Sequence, residues 1–246
     1  MATEKTYSIN FDFRNKKQKR ILEYMQQRGY KLLGFKGAEG DCQTAGLPVW
    51  FSVPYIKMSG EVKNEYKPLY KVYYTDSPIG TDTVIHMNAL SEEIQLGTKV
   101  TLHKDGTFST ESGAPEDTVS FKNNQSVETD KITVGLAALV NGEYAPFCAF
   151  TVAPQQSLNM VPNEKICLFA VPTILRAGNV TGSVVSSGCL FEFDTPDTKI
   201  HLQMNPSSDG FDAVSNGLPV AEVHSGESLM QLMNSHTPAG YQKKAA

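Results

Sequence analysis

Residues 7–13 alternate. Tyr7, Ile9, Phe11 and Phe13 fall on one side of an extended chain and Ser8, Asn10 and Asp12 on the other. Period two is that of a strand with one face buried, so a half-buried strand is predicted here. The period then changes: Ile21, Leu22 and Met25 recur at helical spacing. Asn15 is a suitable N-cap and Gly29 a suitable stop, which together predict a helix over about residues 15–30.

Beyond that helix the period of two returns, punctuated by turn residues. Strands are predicted at 49–56, 69–74, 83–90, 98–103, 165–171, 181–185, 189–193 and 199–204. Asp105-Gly106 and Asn141-Gly142 each separate two apolar runs, and both dipeptides accept the positive φ of a tight hairpin. Gly34, Gly37 and Gly40 read as a glycine-punctuated turn after the helix, matching neither the P-loop nor the dinucleotide fingerprint. Pro54, Pro146 and Pro172 interrupt strand-like runs, which predicts edge strands or bulges. Residues 228–233 suit a short last helix, and 237–246 a flexible tail. More than ten short strands at regular spacing predict a mainly β fold: an antiparallel β-sandwich-like domain with one early α-helix packed on it. One continuous domain over 1–236 is expected, because no linker-like composition divides it.

Composition adds bounds. The chain has 246 residues, 40% apolar and 20% charged, with a formal charge of −4. That argues against wholesale disorder and against a disulfide-dense scaffold. No run of about 18 apolar residues is present, so no membrane-spanning helix is predicted. The N-terminus carries no secretory-leader pattern, which leads us to expect a protein that is cytoplasmic or released without a leader. Cys42, Cys148, Cys167 and Cys189 have no short metal or redox spacing; buried free thiols are expected, although spacing alone leaves pairing open.

Charge changes the picture more. Residues 1–40 hold nine Lys/Arg and four Asp/Glu, a net of +5, against 13 and 22 in the remainder, a net of −9. Arg14, Lys16, Lys17, Lys19 and Arg20 concentrate the excess. Cations at a helix N-terminus oppose its dipole, so the cluster does not serve helix initiation. It suits an anionic surface. Nucleic acid is not expected, because the whole chain is acidic and no nucleic-acid motif accompanies the cluster.

Two further stretches invite a functional reading. Seven of the chain's 23 aromatics lie within residues 50–74. Trp50, Tyr55 and Tyr73 have the amphipathic rings that suit sugars and membrane interfaces. Tyr73 and Tyr74 are adjacent, so one of them should face outward. Residues 107–131 contain eight Ser or Thr. The segment 118–133, with Thr118, Val119, Phe121, Val127 and Ile132, is a candidate hairpin for insertion into a barrel, having one thin apolar face and one wettable face.

No nucleophile elbow, metal-ligand spacing or singled-out carboxylate pair is present, and no cofactor is implied. The expectation is therefore a non-catalytic protein that binds a cell surface, through membrane lipid or glycan. A pore-forming, toxin-like protein is the sharper form of that reading, with a homo-oligomer as its assembly. Two alternatives stand beside it: a carbohydrate-active hydrolase with an unrecognised site, and a structural protein that self-assembles through sheet edges.

Overall fold

The computed structural model describes residues 5–40, 44, 46–76, 78–193, 198–205, 210–214 and 218–234. Its first elements are β1 (Tyr7–Asp12), α1 (Lys16–Gln27), β2 (Tyr30–Gly40), β3 (Leu47–Pro48), β4 (Phe51–Pro54), a 3-10 turn (Tyr55–Lys57), β5 (Glu61–Thr75), β6 (Ala89–Leu90), β7 (Thr98–Leu102), β8 (Phe108–Ser112) and β9 (Val119–Asn123). β10 (Ile132–Val140), β11 (Glu143–Pro146), β12 (Phe150–Val152), β13 (Ser157–Pro172), β14 (Val180–Thr181), β15 (Gly188–Glu192), β16 (Lys199–Asn205), β17 (Gly210–Ala213), β18 (Ala221–Val223) and α2 (Leu229–Asn234) follow. Cys42 and the predicted tail lie outside the described residues.

Two large sheets form a sandwich-like fold. The first runs β11-β10-β5-β1-β16-β17, with β12 on β10 and β6 on β5. The second runs β18-β15-β13-β9-β7-β8, with β2 on β13 and β4 on β2. The ladders are antiparallel except for β1–β16 and β7–β9, which are parallel. The largest apolar cluster draws on both sheets and on Leu22 and Met25 of α1. A second cluster joins Leu33 and Phe35 of β2 and Phe169 of β13 to Leu229 and Met233 of α2. A third surrounds Tyr73 with Ile85, Ala137, Ala149 and Val180.

The local signals account for much of this. Tyr7, Ile9, Phe11 and Phe13 are all buried, as their alternation requires. The Asn15 side chain accepts from Gln18 N at 2.9 Å and caps α1. Gly29, at φ +67°, reverses the chain into β2. Gln18 clips the helix to β16, donating through Nε2 to the Met204 carbonyl at 2.8 Å and accepting from Met204 N at 3.0 Å. Asn141 and Gly142 take φ of 49° and 88° between β10 and β11, the two positive values that a tight hairpin needs.

Two expectations need correction, and a third is met in part. Residues 34–40 are not a turn; they belong to β2, which pairs with β13 along most of its length. Its glycines serve close packing: a Cβ on Gly34 would stand 2.2 Å from the Phe51 ring. Residues 83–88 are not a strand. Their backbone is satisfied across loops, with Ile85 N donating to the Gly178 carbonyl and Asn88 N to that of Tyr74, and only Ala89 and Leu90 join a ladder as β6. Pro54 and Pro146 end β4 and β11, which are edge strands as expected, whereas Pro172 ends β13, a central strand. The bulges lie elsewhere, at the register shifts that take in Pro68 of β5 and follow Pro162 of β13.

Candidate functional site

α1 turns Gln18, Leu22 and Met25 inward. The same helical spacing places Lys16, Lys17, Lys19 and Arg20 outward, and all four are exposed. None of the four has a salt bridge or side-chain hydrogen bond with a described residue. The first turn of α1 holds no acidic residue. Four like charges at the positive end of a helix repel one another and the dipole, a configuration that folding does not favour.

A groove of about 400 Å³ opens beside this face, between α1 and the sheets. Arg20 stands at its rim, Ile21, Met25, Tyr30 and Met204 line it, and Ser186 and Asn205 add polar atoms. It adjoins Tyr24, whose ring lies 6.3 Å from that of Tyr30. Composition and charge do not single out Tyr24. Its place between the two inward residues Leu22 and Met25 is the signal that would have found it, since position 24 turns outward on a helix that buries 22 and 25.

Arg14 differs from its neighbours. Its guanidinium bonds both carboxylate oxygens of Asp12, at 2.9 and 2.7 Å, and also pairs with Glu61. The side-chain and backbone hydrogen bonds from Arg14 hold the Asp12 carboxyl down at about 2. Arg14 is therefore committed within the fold. A hollow of about 480 Å³ around this trio includes Lys63 and His201, and there Lys63 pairs with Glu65 at 2.6 Å.

The aromatic expectation is overturned. Trp50, Tyr55 and Tyr73 are fully buried and present no ring to a sugar or a headgroup in this fold. Trp50 packs edge-on against Tyr66, and its Nε1 donates toward the Ala138 carbonyl at 3.4 Å. The Tyr73 hydroxyl donates to the Cys148 carbonyl at 2.7 Å. Aromatics here fill the core, the usual use of rings on strands. Tyr74 is the outward neighbour, half-buried against Phe108.

The insertion segment is also not a hairpin. Thr118 is buried just before β9, and Val119 and Phe121 are buried on β9 in the second sheet, whereas Ile132 begins β10 in the first. β9 pairs with β13 and β7, and β10 with β5, β11 and β12. Val127 is exposed in the crossing between the sheets. The apolar face that suggested insertion is thus spent on the shared core.

A second constellation went unseen in the sequence. Lys36 of β2 is fully buried between the sheets. Its Nζ donates to Tyr66 Oη at 3.1 Å, to Glu164 Oε2 at 3.1 Å and to the Asn163 carbonyl. The Tyr66 hydroxyl donates to Glu164, and that of Tyr70 stands 3.5 Å from Glu164 Oε1. Burial lowers the Lys36 pKa against the opposing pull of Glu164, and burial raises those of Tyr66 and Tyr70. The register break after Pro162 in β13 is what turns Asn163 and Glu164 toward the lysine. All three ammonium donors are used, and neither the groove beside α1 nor the hollow around Arg14 includes Lys36 in its lining.

Cys148, Cys167 and Cys189 are free and buried, as expected. Burial pushes the Cys148 thiol up to about 12 and raises the other two as well, which suits packing and not nucleophilic attack. Among the described residues no cluster of three metal-ligating side chains occurs, and no helix is long and apolar enough to cross a membrane. Comparisons with protein-family models, with curated proteins and with solved structures return no match.

Proposed function

We propose that this protein attaches, without catalysis, to an anionic surface through the outer face of α1. The observation that carries the reading is the set Lys16, Lys17, Lys19 and Arg20: four exposed cations with no partner among the described residues, placed where they do nothing for the helix. Among the described residues, single exposed cations without an ion pair also stand elsewhere, as at Lys57, Lys104, Lys131 and Arg176, but only α1 gathers four within five residues, and other cations are held. Arg14 is held by Asp12 and Glu61, Lys63 by Glu65, and Lys36 by Glu164. Unmatched cations on one face are the electrostatic footprint of a negative partner. The saturated, enclosed geometry of Lys36 supports a non-catalytic reading. Burial of Trp50, Tyr55 and Tyr73 removes the aromatic platform that had favoured a glycan, so the anionic surface takes precedence.

Each cation near an anionic bilayer contributes about 1 kcal/mol, so three of them contribute roughly 3 kcal/mol, or somewhat over a hundredfold in affinity. Co-sedimentation of the full chain with phosphatidylserine-containing and with pure phosphatidylcholine vesicles tests this. Binding is expected only to the anionic vesicles, and it should weaken as salt shortens the screening length from about 10 Å at 0.1 M to about 3 Å at 1 M. Equal binding to both vesicle types, insensitive to salt, would reject a charge-driven attachment.

A further inference from the structure

The exits from β4 and β13 come together at the start of β2. Lys31 pairs with Pro54 and Tyr30 with Pro172, so the chain runs on to Ile56 on one side of that strand and to Ile174 on the other. The Leu175 carbonyl ties the two exits, accepting from Lys31 Nζ at 2.8 Å and from Ser52 Oγ at 3.1 Å. The C-terminal half of α1 lies against this end. Gln26 Nε2 donates there to the carbonyls of Tyr55 and Met58, at 3.2 and 3.0 Å.

Three large side chains with apolar surface are left in solvent at this end: Ile174 at 92%, Ile56 at 70% and Tyr24 at 51% exposure. Scattered singly such residues need no explanation, but three at one end form a patch. The charge around them is mostly positive, with Glu23 exposed beside Tyr24 as the exception. Arg28, Lys57 and Arg176 are exposed here, and the Arg28 guanidinium sits over the Tyr24 ring at 5.6 Å.

We propose that Ile56, Ile174 and Tyr24 form a wedge that enters the headgroup region of an anionic lipid bilayer, with Arg28, Lys57 and Arg176 around it at the level of the phosphates. The inference rests on attachment through α1 and adds hydrocarbon to the identity of the partner. Interfacial binding combines buried apolar area with attraction to anionic lipid, and tyrosine sits naturally at the headgroup level. Arginine and lysine stems lie along apolar surface while their heads reach phosphate. A polyanion without hydrocarbon would satisfy the cations and leave both isoleucines in water.

The test compares the full chain with the Ile56→Ser/Ile174→Ser variant on two probes: phosphatidylcholine vesicles containing phosphatidylserine, and immobilised polyphosphate. The expected result is a loss of about tenfold or more on the vesicles, no change on polyphosphate and an unchanged thermal melt. Unchanged vesicle binding by the variant would overturn the wedge while leaving the α1 attachment standing. Unaltered protein that binds polyphosphate but not vesicles would overturn the commitment to lipid. Failure to bind either probe would overturn the wedge together with the attachment on which it rests.

Discussion

Lys36 and the cations of α1 carry the same charge in opposite circumstances. Lys36 is enclosed between two sheets and every ammonium donor has an acceptor. Lys16, Lys17, Lys19 and Arg20 are exposed, with no acceptor among the described side chains. Arg14 stands between these cases, exposed and yet gripped by Asp12 and Glu61. A buried cation is tolerable only when its partners are in place, so Lys36 belongs to the fold. An exposed, unmatched cluster against a helix dipole gains nothing from that dipole, which is why the proposed function assigns it to a partner.

The largest expected effect is at the buried end of this comparison. Glu164→Ala should cost about 3 kcal/mol by denaturant unfolding, because it strands a cation between the sheets. Lys36→Met should cost less, about 2 kcal/mol, because the Glu164 left behind is 25% exposed and keeps water and the Tyr66 hydroxyl as donors, whereas a stranded Lys36 is shut off from water. If Lys36→Met proves the more damaging of the two, the lysine is needed for something other than neutralising its surroundings.

Alkaline pH sharpens the same contrast. Burial lowers the Lys36 pKa below 10.5, so the unfolded chain keeps this proton in a range where the folded chain releases it. The unfolded state then binds more protons, and the Lys36 contribution to stability rises with pH through the folded pKa towards 10.5. The unaltered chain should gain on Lys36→Met over that window in parallel unfolding curves. Above about 10 the tyrosines act in the opposite sense. Tyr66 and Tyr70 hold their protons in the fold and lose them on unfolding, so overall stability falls.

Arg14 should show itself on the acid side. The folded Asp12 pKa of about 2 lies below its ordinary 3.8, so its contribution is complete above 3.8 and is lost as pH falls to about 2. Acid titration of Arg14→Ala followed by nuclear magnetic resonance should return the Asp12 titration towards 3.8. An unmoved titration would mean that Arg14 is as free as its neighbours on α1.

The smallest effect is expected at Tyr55, whose buried hydroxyl finds no hydrogen-bond partner among the described residues. Tyr55→Phe should change the unfolding free energy by less than about 1 kcal/mol, with stabilisation the expected sign. A loss well above that would show that the hydroxyl is engaged in the folded protein.

What could be read from the sequence, and what could not, divides along physical lines. β1, α1 and the Asn141-Gly142 hairpin declare themselves through local rules: alternation, a cap and a positive-φ dipeptide. β2 escaped because Gly34, Gly37 and Gly40 look like turn residues, whereas their lack of a side chain lets Phe51, Asn163 and Phe150 approach the strand. The Lys36 constellation joins residues 36, 66, 70 and 164, which only the two-sheet topology brings together. Exposure is not legible in the aromatic segment: ring chemistry alone suits a surface as well as a core, and the core claims Trp50, Tyr55 and Tyr73. The basic cluster was legible because it is local, and only the structure separates Arg14 from the other four.

The most direct test of the central claim uses Lys16→Glu/Lys17→Glu/Lys19→Glu in the full chain, with vesicle binding and thermal unfolding measured on the same preparation. The account predicts that binding to phosphatidylserine-containing vesicles falls by at least about a hundredfold. It also predicts that stability holds or rises by about 0.5 kcal/mol, since carboxylates at a helix N-terminus align with its dipole. Undiminished binding, or a binding loss that comes with a collapse in stability, would contradict the claim that these cations serve a partner and not the fold.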